Sequence, residues 1–416
     1  MGRHMSRSRF ILENRRWLGA GVLLTFCSGF GQTYFIAIFA GEIRAEFGLT
    51  DGQWGAIYTA GTLASVGLML WLGGLADRFR VRHLGLAVLG GLALACLAMA
   101  AVPAAWALPA VIFALRFCGQ GMAFHLAMVG VSRWFAARRG QAVAVAGLGV
   151  AAGEALLPIT FVALMGHLPW RALWLIAALV LLAALPLLWR LLRVERQPQS
   201  FAADPEARTG LDGRHWTRRE MLRHPLFWMV LPLFLAPPSF ATVLFFSPVH
   251  LAAVKGWELA EFVALFPVYT AASVSAMLLA GAFVDRLGAA RLVPFYQVPL
   301  AGGFLLLSGA EGIPGAGLAM AVLGAAVGTH ATLVQAFWVE TYGTRHLGSI
   351  RSASVAAMVL GTALGPGISG LLIDAGITFP EQMGGIAAAI LMASGLAYLG
   401  LRRVARTGSP ARGGGA

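Results

Sequence analysis

The sequence predicts an all-α membrane protein: twelve transmembrane helices in two six-helix halves related by an internal repeat, with both termini cytoplasmic. Three observations predict it. The 416 residues are 58% hydrophobic and only 12% charged, with mean hydropathy +0.76, whereas a soluble domain carries roughly a quarter charged residues. Most of the surface must therefore face something other than water. The arginines gather in alternate loops, on one side of the predicted membrane, and the two halves of the chain superpose on one offset.

A bilayer core needs about 20 apolar residues per helix. Such stretches fall at 17–41, 54–76, 84–102, 106–132, 141–165, 170–190, 226–251, 258–283, 291–309, 314–339, 348–373 and 382–401. All read as helices, because lipid cannot satisfy an open sheet edge. Residues 1–16 form a basic cytoplasmic N-terminus, and the apolar run after them is too long for a signal-peptide core, so no cleavable signal is expected. An N-terminal bundle over 17–190 is followed by a linker at 191–225, rich in Arg, Asp, Glu, Pro and Gln, then by a C-terminal bundle over 226–403. The Gly/Pro/Arg tail at 404–416 reads as disordered.

With the N-terminus inside, 27 of the 31 basic residues fall in cytoplasmic segments, as the positive-inside rule requires. Only Arg44, Arg171 and Lys255 lie outside, and Arg116 falls within a span. The acidic residues show no such bias: nine inside, eight outside and Glu154 in a span. A miscounted helix would scramble the pattern in every later loop. The net charge of +13 is thus a matter of topology and implies no nucleic-acid partner. Cys27, Cys96 and Cys118 all sit in apolar stretches and read as small buried hydrophobes. No phosphate-cradling GxxxxGK[ST] sequence, HExxH or CxxC pair occurs, so neither an enzyme, a metal centre nor a cofactor is expected.

Sliding the chain by 208 residues matches Gly73 with Gly281, Asp77 with Asp285, Arg78 with Arg286, Gly140 with Gly348, Gly153 with Gly361 and Pro158 with Pro366. Parallel six-helix repeats with a site at their interface are a transporter architecture. The segment Gly73-Gly74-Leu75-Ala76-Asp77-Arg78 resembles the loop 2–3 signature of the major facilitator superfamily, and Gly281 to Gly288 resembles its second copy. Arg80 stands where the first copy usually has its second glycine. Arg116-Phe117-Cys118-Gly119-Gln120-Gly121 resembles the R-x-x-x-G-x-G motif of span 4, with shifted glycines. Gly361-x-x-x-Gly365-Pro366-x-x-x-Gly370 resembles the antiporter motif of span 11. Two cytoplasmic loops, around Trp134 to Ala142 and Tyr342 to Arg351, are similar to the monocarboxylate and oxalate/formate branch, although span 8 lacks the basic residue that branch often carries. The resemblance implies a secondary transporter of the bacterial inner membrane, multi-pass, monomeric, working on a small-molecule substrate and protons within the lipid bilayer.

Arg116 and Glu154 are the intramembrane charges, and each costs roughly 2.5–3.5 kcal/mol or more at a helix centre unless it faces a cavity or a partner. Two readings follow. Arg116 binds a substrate anion while Glu154 takes up a proton, or the two form a structural ion pair. Gln32 and Tyr34 in span 1 lie near the same depth. Ser239 and Thr242 follow Pro237-Pro238, where the prolines free backbone carbonyls. Tyr269 and His330 are central in spans 8 and 10. These six are further candidates for lining a substrate cavity, with plain helix packing as the other reading. Asp77, Arg78, Asp285 and Arg286 in the repeated loop, with Arg133 and Arg351 as partners, are expected to act as a gating latch through helix-terminus and ion-pair contacts. The expected function is transport of a small organic anion such as a carboxylate, proton-coupled or by exchange. The alternative is a proton-driven drug or metabolite efflux antiporter in which Glu154 meets a cationic substrate.

Overall fold

The structure is a computed structural model that describes residues 7–72, 75–135, 138–194, 196 and 209–407. Among these residues there are helices and turns and no strand. The chain divides into two compact units, Met1–Ala203 and Asp204–Ala416.

Unit 1 contains six principal helices: α1 (Arg15–Ser28), α2 (Asp51–Leu72), α3 (Val81–Ala100), α4 (Ala105–Trp134), α5 (Arg139–Met165) and α6 (Trp170–Leu191). Unit 2 contains α7 (Pro225–Phe246), α8 (Phe266–Leu287), α9 (Val298–Gly309), α10 (Ile313–Tyr342), α11 (Leu347–Asp374) and α12 (Phe379–Thr407). Among the described residues nine helices are long and apolar enough to cross a membrane, and ten if the bent pair at α1 counts as one span. The two remaining predicted spans fall short differently. Helix α2 has 22 residues, but the side chain of Leu70 in its apolar run lies outside the described residues, and α9 is only 12 residues long.

The packing within each unit repeats. In unit 1, α1 packs on α5, α2 on α4 and α3 on α6; in unit 2, α7 packs on α11, α8 on α10 and α9 on α12. Each number in the second set is six more than in the first, so the repeat at 208 residues folds into one helix arrangement used twice.

The three basic residues that break the positive-inside pattern all have local structural partners. Arg171 donates to Ala100 O (2.8 Å) and Val102 O (2.8 Å) at the C-terminal end of α3, and to Glu46 (2.6 Å). Lys255 donates to Ser308 O (2.5 Å) and Ala310 O (3.0 Å) at the end of α9. These carbonyl pairs are themselves 208 residues apart. In both units a cation therefore closes the orphan carbonyls and meets the negative end of the dipole, although Arg171 comes from α6 and Lys255 from the helix after α7. Arg44 pairs with Asp51 at 2.6 Å.

Several boundaries depart from the sequence reading. The first predicted span is two helices, Arg15–Gly31 and Thr33–Phe47, bent by 46°. The predicted span at 291–309 is interrupted by turns over 293–297, where Pro294 and Pro299 each remove a backbone donor. The N-terminal stretch is not only a charged tail, since Arg7–Glu13 is helical. The linker is partly docked. Thr217 and Glu220 form a capping box opening the helix Arg218–Arg223, and Trp216 donates its backbone N–H to Tyr342 O (3.1 Å) at the end of α10. Helix α12 runs on to Thr407, so only 408–416 of the expected disordered tail lies outside the described residues.

Candidate functional site

The break in α1 organises the polar interior of unit 1. After Ser28 the chain tightens into a 3₁₀ turn at Gly29–Gly31, and Gln32 then adopts an extended conformation (φ −87°, ψ 157°) before the helix resumes at Thr33. Gly31 crosses α4 at Gly119, where a Cβ on Gly119 would stand 2.6 Å from the Gly31 Cα. No side chain fits there, so the two backbones touch. Across this contact α4 changes pitch: Arg116–Ala123 is π-helical, a geometry that is rare and concentrated at functional sites.

Arg116 opens the π-helical segment and is 1% exposed. Its Nη1 donates to Gly31 O (3.2 Å) and to Thr33 Oγ1 (3.3 Å). Its guanidinium carbon lies 5.3 Å from the centre of the Tyr58 ring, and Tyr58 OH and Thr33 Oγ1 are hydrogen-bonded at 2.7 Å. The guanidinium thereby satisfies a carbonyl released at the helix break, where the dipole also favours a cation. Its partners are a carbonyl, a hydroxyl and an aromatic face, all neutral, and its Nε is buried with no hydrogen-bond partner. The charge is held in place but not neutralised.

Glu154 is the other intramembrane charge. It is half-buried on α5, next to Gly153, whose Cβ would lie 3.0 Å from the Tyr34 hydroxyl oxygen. Tyr34 is buried and near enough to Glu154 for their charges to interact. The break in α1 thus brings Thr33 to Arg116 and Tyr34 near Glu154. Gln32 sits half-buried at the junction.

Unit 2 carries its own polar cluster. Pro237 has no N–H to give to Leu233 O, and the Tyr296 hydroxyl approaches that carbonyl at 3.5 Å. The same hydroxyl is 3.1 Å from His330 Nδ1, with the two rings stacked. Gln297, wholly buried, donates to Ala326 O (3.3 Å), and its Oε1 is buried with no partner. Thr242 donates to Pro238 O at 2.7 Å, and Ser239 packs against Gly361 of α11. Tyr269 is buried edge-on to Phe245 (5.0 Å). His330 is therefore grouped with Tyr296, while Ser239, Thr242 and Tyr269 each make separate helix–helix or backbone contacts.

In the repeated loops, Arg133 donates to Ala76 O (3.0 Å), and Asp285 and Arg286 are exposed. The carboxylate that meets a helix start is Glu340 of α10, which accepts from Ala289 N (2.9 Å) and Ala290 N (3.3 Å). The side chains of Asp77, Arg78 and Arg351 lie outside the described residues. Sequence reasoning missed Thr33, Tyr58, Tyr296, Gln297 and Glu340. The first four are uncharged polar residues inside apolar runs, a signal too common to single them out. Glu340 was legible as an acid near a helix terminus. Among the described residues no group of three His, Cys, Asp or Glu could hold a metal ion.

The sequence profile described as Major Facilitator Superfamily matches residues 21–366. No functionally curated protein matches closely enough to count as a relative. Similar solved structures include a bacterial homologue of the human lysosomal transporter Spinster in an inward-facing, unoccupied conformation. It is 17% identical with a TM-score of 0.68, over 96% of this chain and 99% of that one. The occupied form of that homologue is 14% identical at TM-score 0.68, over 95% and 98%. A mutant of the nucleoside transporter NupG is 13% identical at TM-score 0.67, over 94% and 99%. At these identities the structures share the fold alone, while the profile spans most of the sequence. The chain belongs to the major facilitator superfamily and is a multi-pass secondary transporter.

Proposed function

We propose that the protein carries a small organic anion, of the carboxylate class, across the bacterial inner membrane by alternating access, coupled to protons or by exchange. In this reading it is a monomer with twelve spans and both termini cytoplasmic, Arg116 holds the anion, and Glu154 beside Tyr34 carries the proton. The observation that supports it is the environment of Arg116: a buried guanidinium whose partners are all neutral. An intramembrane charge left unbalanced is costly, and a substrate carboxylate is the group that would balance it. Asp77, Arg78, Asp285, Arg286, Arg133 and Arg351 serve in this reading as the latch between transport states, and Gln32, Tyr34, Ser239, Thr242, Tyr269 and His330 as cavity lining.

Thermal stabilisation of the purified protein by a panel of small carboxylates and lipophilic cations tests the reading. A ligand at a hundred times its Kd adds about 2.7 kcal/mol, well within the resolution of a melting curve. Stabilisation by carboxylates that vanishes in Arg116→Ala is the expected result. Stabilisation by cations instead, lost in Glu154→Gln, overturns it and makes the protein an efflux antiporter.

A further inference from the structure

Where α1 and α6 meet at their arginine-rich ends, unit 1 has an apolar groove of about 440 Å³. Ile11, Leu18, Leu23, Leu187 and Leu191 contribute to its walls, and Arg15 is the only charged residue in its lining. Gly19 also lines it, and a Cβ added there would meet nothing within 4 Å, so the absence of a side chain is what keeps this part of the groove open. From Arg15 to Phe26, its far end along α1, the groove runs for roughly 16 Å at 1.5 Å per residue. Ile11 and Leu187 are exposed, so the groove opens on the surface of the unit.

Arginines cluster around its mouth. Arg16 and Arg82 donate to Arg190 O (3.3 Å) and Arg193 O (3.5 Å) at the end of α6, and Trp17 Nε1 donates to Val194 O (3.0 Å). Those groups are engaged in closing the helix terminus. The guanidinium groups of Arg15, Arg190 and Arg193 are exposed and make no hydrogen bond or ion pair with any described residue. Trp189 lies beneath Arg82 at 4.5 Å and is 48% exposed. Tryptophan and arginine together mark the headgroup level of a bilayer. An open apolar slot beginning at that level, lined by Arg15 and flanked in the chain by the exposed Arg190 and Arg193 on either side of Leu191, has the chemistry of an anionic diacyl lipid.

We infer that this groove binds one anionic phospholipid, its phosphate among Arg15, Arg190 and Arg193 and one acyl chain along Gly19 and Leu23. A zwitterionic lipid presents its own cation to the same arginines and is disfavoured. The full-length protein in detergent, incubated with phosphatidylglycerol or with phosphatidylcholine of the same acyl chains, provides the test by native mass spectrometry. One phosphatidylglycerol should be retained with at least about fivefold preference over phosphatidylcholine. Arg15→Gln should weaken phosphatidylglycerol about fivefold, the share of one surface cation, and Arg15→Lys should hold it. Gly19→Phe, whose first added carbon meets nothing within 4 Å, should fill the slot and displace the lipid. Equal retention of the two lipids overturns the inference, as does wild-type retention of phosphatidylglycerol in both Arg15→Gln and Gly19→Phe.

Discussion

The two units pack their helices in one pattern and fill the centre of the α2/α4 and α8/α10 pairs with opposite chemistry. In unit 1 the centre is Arg116, set in a π-helical segment and bonded across to the broken α1. The residue 208 positions later is Gly324, in an uninterrupted 30-residue α-helix. There the helices touch by backbone: a Cβ on Gly324 would collide with the carbonyl of Tyr269, and one on Gly328 with that of Ser273. In unit 1 the glycine of this pair sits on the other helix, since Gly61 of α2 faces Pro109 O and Ile112 of α4. Internal repetition thus conserved which helices meet and left free what lies between them. At this crossing one unit keeps a buried charge and an irregular helix, and the other packs backbone against backbone.

The largest effect is expected on the close-packed side. Gly324→Val should cost about 3 kcal/mol by overpacking, seen as a large drop in melting temperature or loss of folded protein. Gly281→Ala, where an added Cβ meets nothing within 4 Å, should stay within about 1 kcal/mol of wild type. The charged side should respond in function rather than in stability. Arg116→Met removes a buried charge whose hydrogen-bond partners among the described residues are neutral, so melting temperature should hold or rise. Uptake into proteoliposomes should fall at least about thirtyfold, since a lost charge-assisted contact costs on the order of 2 kcal/mol or more. A variant that transports normally would remove the reason for contrasting the two units.

Tyr296→Phe sharpens the comparison within unit 2. It takes the hydroxyl from both His330 and the Leu233 carbonyl, and should cost about 1–2 kcal/mol as the buried carbonyl loses its donor and the ring nitrogen its partner. The smallest effect concerns pH at the docked linker. Burial against Trp216 lowers the pKa of His224, with Asp212 opposing and Arg214 reinforcing. As pH falls below about 6.5, the unfolded chain binds a proton that the folded one resists, so stability declines. The Glu220 carboxyl is held below its usual range by the Thr217 backbone N–H. Its contribution is complete above about pH 4.3 and is lost as pH falls through the lower folded value. Melting curves between pH 7.5 and 5.5 should show a modest decline that His224→Phe abolishes while leaving the more acidic loss in place.

The prolines show most clearly where sequence reading reached its limit. Pro237-Pro238 frees backbone carbonyls in α7, yet that helix runs unbroken from Pro225 to Phe246, and the Tyr296 hydroxyl meets the Leu233 carbonyl that Pro237 leaves without a donor. The first span carries no proline over the same 208-residue match, and it breaks at Gly29–Gln32. Periodicity and composition report average burial along a helix, not whether a partner across the bundle will satisfy a freed carbonyl. Arg116 stood out from the sequence as an intramembrane charge. Its partners Thr33 and Tyr58 did not, since nothing local distinguishes them from other polar residues in apolar helices.

By itself the sequence determined the membrane class, the repeat and the candidate charges, because hydropathy, arginine distribution and a fixed offset are properties of the chain alone. The tertiary structure decided where helices break, that Arg116 bonds to Gly31 and Thr33 while Glu154 lies beside Tyr34, and which cations close α3 and α9. Each of these depends on atoms far apart in the chain meeting at hydrogen-bond distance, and only the folded packing fixes those distances.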